Sequence, residues 1–333
     1  MRNEKSLRNL RSEQRYHLQL LVNHLASNNQ QSDEYWQDWK INRLEGGANN
    51  RLFRARHSLG DFVIKFTIRD DRNRAEREFQ ALSALEEAGL QIAPIPLLLD
   101  RDRFDQPVMV QTWIEGEGLI QPPVLDEGWQ ELLQYYQAVH SVAPNTSSLK
   151  LPKALCANTV AEGRALVDQQ LARIPSDAQP TDLQDLVRQF ERTELPDWEK
   201  APVTLCRIDP NLSNFIHRVN GLTSVDWEYS GWGDPAFDIA DLMAHPTYMG
   251  VPSSRWGWII QSYGNSVDDS TIAIRIEAYY KILLVWWVAR SARFLYEVPR
   301  GLDNRLASLP ADWQADAQVK YDHYLNLAEP LSV

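Results

Sequence analysis

The 333-residue sequence predicts an α+β fold of two lobes, a small antiparallel β lobe carrying one helix and a larger, mainly helical lobe. Three observations predict it. Between residues 41 and 112 apolar side chains recur with a period of two, the spacing of strands whose residues alternate between faces. One helix-spaced stretch interrupts that pattern, with Phe79, Leu82 and Leu85 on a stripe. Beyond residue 116 the spacing is helical, from 129–142 to 281–297, around one short β-rich island. The boundaries that follow are a helical extension over 1–40, a first lobe over 41–115 and a second over 116–333. Two such lobes joined by a short connector would leave a cleft between them.

The extension carries Leu7, Leu10, Leu18, Leu21, Val22 and Leu25 at helical spacing, and residues 28–33 break it with polar turn formers. In the first lobe, 52–56 and 62–66 read as a hairpin around His57-Ser58-Leu59-Gly60-Asp61. Phe62, Ile64 and Phe66 then share one face, and Val63 and Lys65 the other. The helix follows and ends at 90–94, before strands near 96–99 and 107–111. The island of the second lobe comprises 203–206, 214–217 and 222–225.

Composition narrows the function. Lys and Arg number 34 against 45 Asp and Glu, a net charge of −11, which disfavours a surface built to meet nucleic-acid phosphates. The longest apolar run, 282–289, falls well short of the roughly 20 residues of a membrane span. Two cysteines, Cys156 and Cys206, make no disulfide framework and read as free thiols in a reducing compartment. A cytoplasmic protein with neither nucleic-acid nor membrane partner is the expectation.

The chemistry concentrates in Leu205-Cys206-Arg207-Ile208-Asp209-Pro210-Asn211-Leu212-Ser213-Asn214-Phe215, followed by Ser224-Val225-Asp226-Trp227-Glu228. Phosphoryl transfer needs a carboxylate to orient and deprotonate the attacking hydroxyl, and oxygen ligands for Mg²⁺. Asp209 suits the first task, and Asn214 and Asp226 the second.

Residues 205–242 resemble the aminoglycoside phosphotransferase and choline kinase family, within the protein-kinase-like superfamily. Its pattern there is His-x-Asp-x4-Asn, then Ile/Val-Asp-aromatic-Glu, then Gly-Asp-Pro-x-x-Asp. The last element reads Gly233-Asp234-Pro235-Ala236-Phe237-Asp238. The resemblance implies a two-lobed kinase-like fold, a nucleotide-binding first lobe, and transfer of the γ-phosphoryl group of ATP or GTP, with Mg²⁺, to a small-molecule hydroxyl. It implies a phosphate-covering loop at Gly46-Gly47-Ala48-Asn49-Asn50, with Gly46, Gly47 and Asn50 at nucleotide-binding positions. Lys65 would hold the α- and β-phosphates, with Glu78 as its partner and Glu76 as the fallback. Base recognition falls to the connector near Gln111 to Trp113, through main-chain groups.

Each feature also has a plainer role. Gly-Gly and Asn-Asn make ordinary turns, and an isolated strand lysine is usually a solvated outer-face residue. Asp234-Pro235 reads as a helix N-cap followed by Pro at the first helical position, Asp238 as a brace for the catalytic loop, and His140 as structural. Glu228 serves either the metals or a structural hydrogen bond. One departure stands out, Arg207 where the family has His. A guanidinium there would brace backbone carbonyls or pair with Asp226 or Asp238.

The acceptor stays open. Tyr279, Tyr280, Trp286, Trp287 and Tyr296 would form either a cage for a quaternary ammonium or simply core. Asp268, Asp269 and Glu277 would serve an aminoglycoside's ammonium groups or only solvent. Two other classes compete with the enzyme reading: a nucleotide-binding protein without turnover, and a domain that docks partners through residues 4–28. A protein kinase is disfavoured by the lack of Asp-Phe-Gly and Ala-Pro-Glu.

Overall fold

Period-two alternation draws residues 34–112 into one antiparallel sheet. The structure, a computed structural model, describes residues 2–27, 33–44, 50–198, 201–303 and 309–329. The helix α1 (Arg2–Ser27) is followed by β1 (Glu34–Trp36), β2 (Trp39–Leu44), β3 (Asn50–His57), β4 (Gly60–Thr67), the helix α2 (Arg74–Glu87), β5 (Pro96–Asp100) and β6 (Val108–Thr112). Strand order is β1-β2-β3-β4-β6-β5, every neighbour antiparallel. The expected hairpin is β3–β4, closed by His57 opposite Gly60. Gly60 has φ 142°, and a Cβ there would meet the Phe62 ring at 2.7 Å, so the turn needs glycine. Strand β1 falls where only an extension was expected. Its charged first residue, Glu34, and its charged flanks, Asp33 and Asp38, mask the alternation.

One face of this sheet is a hydrophobic layer of Trp39, Ile41, Phe53, Phe62, Ile64, Phe66, Leu98, Val108 and Val110. Helix α1 lies within the same layer, and Leu18, Leu21, Val22 and Leu25 are each at most 1% exposed. Each such side chain contributes about 1.5–3 kcal/mol by leaving water. The part of the stripe from Leu18 to Leu25 is therefore covered within the chain's own sheet layer. Near its C-terminus α1 is held by His24, which stacks on Trp36 at 4.4 Å and meets Glu34 at 2.9 Å.

Lys65 sits between Ile64 and Phe66 and so projects from the opposite face. Helix α2 buries Arg74, Arg77, Glu78, Ala81, Leu82 and Leu85, while Phe79, expected on the stripe, is only half-buried beside it. The helix stops before the expected break. Gly89 (φ 73°) donates its amide to Glu86, and Leu90 donates to Leu85, which closes the C-terminus in a left-handed turn.

The chain divides into two compact units, the first holding the described residues up to Gly116 together with Ser224–Glu228. The second is mainly helical. It contains β7 (Glu117–Gly118), α3 (Asp126–His140), α4 (Val160–Leu171), α5 (Thr181–Arg192), β8 (Thr204–Cys206), β9 (Phe215–Arg218), β10 (Gly221–Ser224) save its last residue, β11 (Gly231–Gly233), α6 (Pro235–Ala244), α7 (Ser253–Gly264), α8 (Ile272–Glu297) and α9 (Trp313–Ala328). Strands β10-β9-β7 form one small sheet and β11-β8 another. Gly231 in β11 runs so close to Pro152 that a Cβ would lie 2.3 Å from its carbonyl oxygen.

Helix α8 is the spine of this unit and packs against α4, α6 and α9. Its Tyr279 is fully buried, edge-on to Trp198 and Phe237, and is core. Cys156 and Cys206 are free and buried, and burial pushes the Cys156 thiol up to about 12. Among the described residues no helix is long and apolar enough to cross a membrane.

Candidate active site

In the first unit, alternation along β4 and helical phase along α2 bring Lys65 and Glu78 together. Lys65 Nζ donates to Glu78 Oε1 at 3.0 Å and Oε2 at 2.7 Å, and to Asp226 Oδ1 at 2.7 Å. Burial alone would lower the lysine's pKa, but Asp226, Glu78 and Glu228 raise it, so the ammonium stays charged. The fallback Glu76 points elsewhere and pairs with Arg101 at 2.7 Å. Asp226 follows β10 with φ 63°, a left-handed backbone that non-glycine residues adopt at a cost of about 1–3 kcal/mol.

Glu228 takes a place that sequence reasoning left open. It accepts from Arg74 Nη1, and from Asn50 Nδ2 at 3.2 Å. Burial and the nearby Asp226 carboxylate push it up to about 7, against the pull of Arg74 and Lys65. Arg74 carried no signal in the sequence, although its place in the first turn of α2, one turn before Glu78, puts both on one flank. Asn50 begins β3, and its Oδ1 is buried without a partner among the described residues. Gly46 and Gly47 lie outside the described residues.

At the connector, Gln111 and Trp113 flank the end of β6. The amide of Thr112 donates to Ile95 O at 3.0 Å and that of Trp113 to Asp61 O at 2.9 Å. Both donors are thus engaged within the chain. The Trp113 ring lies under the Arg54 guanidinium at 3.9 Å.

In the second unit the loop after β8 is held in a tight left-handed course, with φ 55° at Ile208 and 64° at Asp209. Two carboxylates of α6 hold it there. Asp238 accepts the backbone amides of Arg207 at 2.7 Å and Ile208 at 2.9 Å. Asp241 accepts that of Asp209 at 3.0 Å. The two are three residues apart and so share a helix face, a spacing the sequence contains. Asp238 is itself steadied by His140, whose Nε2 lies 3.1 Å away and whose Nδ1 meets Tyr263 at 2.6 Å.

Arg207 is fully buried. Its guanidinium donates to the carbonyls of Ile208, at 3.2 Å, and Asp209, and lies 4.9 Å from the centre of the Phe215 ring. Of the two roles open to it, carbonyl bracing is the one these bonds perform. Asp238 instead serves the loop's amides.

Asp209 leaves its carboxylate facing His245, whose Nε2 is 3.3 Å from Oδ1. Burial would raise this carboxyl, but the imidazole, Arg207 and the Asn211 amide outweigh it and hold Asp209 below the ordinary range. Asn214 closes a short 3-10 turn, Leu212–Asn214, and is half-buried. Asp234 caps α6 as expected, accepting from the Ala236 amide at 2.9 Å. It also accepts from Arg275 and from the Tyr279 hydroxyl, which the sequence did not disclose. Asp269, considered for an ammonium ligand, is occupied by Arg275 at 2.8 Å.

No curated protein sequence matches the chain. Among solved structures, choline kinase LicA from Streptococcus pneumoniae is similar with TM-score 0.59 and 16% identity, covering 94% of this chain and 99% of that one. A choline/ethanolamine kinase family protein from Mesorhizobium loti gives TM-score 0.57 and 19% identity over 87% of each chain. Spectinomycin phosphotransferase, in complex with ADP and spectinomycin, gives 0.61 and 11%, covering 94% and 98%. These likenesses establish the two-lobed kinase-like α+β fold. The sequence pattern of the phosphotransferase enzyme family (APH) matches residues 40–261, and the chain belongs to that family.

Proposed function

We propose that the protein transfers the γ-phosphoryl group of a nucleoside triphosphate to a hydroxyl of a small molecule, with Asp209 as base. The observation that carries this reading is the presentation of Asp209. Three backbone amides, those of Arg207, Ile208 and Asp209, are spent on Asp238 and Asp241 to hold one left-handed turn. Its carboxylate is kept ionised, able to orient a hydroxyl and receive its proton.

Lys65, pinned by Glu78, would hold the α- and β-phosphates with its order already paid for in the free protein. Asn214 and Asp226 would each offer Mg²⁺ a hard oxygen donor, and the ion when bound would neutralise phosphate charge. Adenine or guanine would meet the connector near Gln111 and Trp113, and Gly46, Gly47 and Asn50 the phosphates. The acceptor would be an alcohol of the aminoglycoside or amino-alcohol kind. Arg207 keeps its loop braced, so its departure from the family pattern does not speak for loss of turnover.

The test is ADP or GDP release by the purified protein with Mg²⁺, across choline, ethanolamine, spectinomycin, other aminoglycosides and amino sugars. Acceptor-dependent release that disappears in Asp209→Ala is the expected result. Release that survives in that variant would remove Asp209 from the reaction.

A further inference from the structure

The conformation of Asp209 leaves one feature of the second unit unused by the reading above. His245 follows the last residue of α6 and caps the short turn Pro246–Tyr248. Its Nδ1 accepts from the Thr247 amide at 3.3 Å and lies 2.9 Å from the Thr247 hydroxyl. A backbone N–H has only a proton to offer, so Nδ1 is the bare nitrogen of the neutral ring and Nε2 carries the hydrogen. That Nε2 is the atom 3.3 Å from Asp209 Oδ1. The ring is buried and packs edge-on against Trp287 at 5.7 Å, which limits its swing.

We infer that His245 is a positioning residue for Asp209, donating Nε2–H to Oδ1 so that Oδ2 is the oxygen turned to the acceptor hydroxyl. The inference rests on the reading of Asp209 as base. The backbone bonds to Asp238 and Asp241 fix where the residue's main chain runs, yet none of them touches its carboxylate. The Asn211 amide also reaches the carboxylate, and a second donor, on Oδ1, removes the rotation that a single bond leaves. Such a contact is often long in the ligand-free state and shortens when the substrate is present. His245 lies four residues, about one helical turn, beyond Asp241. It acts through Asp209 and does not touch the reacting atoms.

Two substitutions separate donation from packing. His245→Asn keeps an oxygen for the Thr247 amide and withdraws the donor from Asp209. His245→Gln places an amide N–H near the position of Nε2. Turnover is read as ADP release from MgATP, with water and with choline, ethanolamine or spectinomycin as acceptor, beside Asp209→Ala. The expected result is a loss of kcat of about tenfold or more in the Asn variant, the scale of a hydrogen bond to a charged group. KM for ATP should stay as in the wild type, and the Gln variant should recover most of the loss. Equal kcat in the wild type and the Asn variant, or a loss that Gln does not recover, overturns the inference.

Activity that survives in Asp209→Ala refutes the base instead, and is thereby distinguished. A second measurement needs no turnover. In protein labelled with ¹⁵N-histidine, the His245 Nε2 proton should resonate downfield in the wild type and move upfield in Asp209→Asn. No change between the two spectra would show that the imidazole does not donate to Asp209.

Discussion

Arg275 grips Asp234 through two nitrogens, Nε at 2.9 Å from Oδ2 and Nη2 at 3.1 Å from Oδ1. The arginine side chain is 1% exposed and the carboxylate 0%. The pair ties the first turn of α8 to the N-terminus of α6, the helix whose carboxylates hold the Asp209 loop. Helix α6 is thus anchored at its start by a charge from the spine and acts on the loop a turn later.

Replacing Arg275 with Met leaves a buried carboxylate without its cation. Stability in equilibrium urea unfolding should fall by about 3–5 kcal/mol, and adding Asp234→Asn should restore part of the loss. An unchanged midpoint in Arg275→Met would mean that the pair is not held shut.

Asp238→Ala frees the amides of Arg207 and Ile208 inside the protein. Each buried donor left unsatisfied costs about 1–3 kcal/mol, so both stability and ADP release should drop together. Thermal unfolding beside the turnover assay checks this. A stable variant with full turnover would show that the left-handed course of the loop holds without its brace.

Arg207→Lys retains the charge and loses the planar fork that spans two carbonyls. The cost should be about 1–3 kcal/mol in unfolding, the scale of the bonds given up. If Lys proves equal to Arg in both stability and turnover, charge alone suffices at this position.

Lys65→Met removes a cation from between Glu78 and Asp226, and with it the proposed hold on the phosphates. Turnover should fall by at least about a hundredfold, the scale found when a preorganised electrostatic contact is lost. Glu78→Gln, which leaves the lysine in place but unpinned, should fall between that variant and the wild type.

Asp241 gives stability a pH dependence. Burial pushes its carboxyl up to about 8, with the Asp209 and Asp238 charges adding to it and the Asp209 amide opposing. An unfolded Asp releases its proton near pH 3.9, so between about 4 and 8 the folded chain holds one proton more. Stability from this group is whole below that window and is lost as pH rises through it. Asp241→Asn keeps an oxygen for the Asp209 amide and cannot ionise. Its margin over the wild type in urea midpoints should be small near pH 4 and widen up to about pH 8, and a parallel decline in both proteins would refute the assignment.

Much of the site could be read from the chain before its structure. Lys65 faces away from Phe62, Ile64 and Phe66 because alternation demands it, and Glu78 meets it because helical phase brings one flank of α2 to the sheet. Asp238 closes a motif that marks it as a brace for the loop, whereas the part of Asp241, three residues on, is seen only in the structure. Partner choice over long separations was not legible. Arg74 with Glu228, Arg275 with Asp234, and His245 with Asp209 each join residues from distant segments or from opposite ends of a helix and a loop. Nothing in local spacing selects among the chain's many charged candidates. The stripe of α1 announced that a face would be covered, and only folding shows that the cover is the sheet itself.

That cover separates ancestry from foldability. The family pattern begins at residue 40, inside β2, and so leaves α1 and β1 outside. A chain trimmed to that boundary would keep every residue that proclaims its kinship. It would also take Leu18, Leu21, Val22 and Leu25 out of the hydrophobic cluster they share with Ile41, Phe53, Phe62 and Phe66. What is inherited as a recognisable pattern and what must travel together to stay soluble are here pieces of different length.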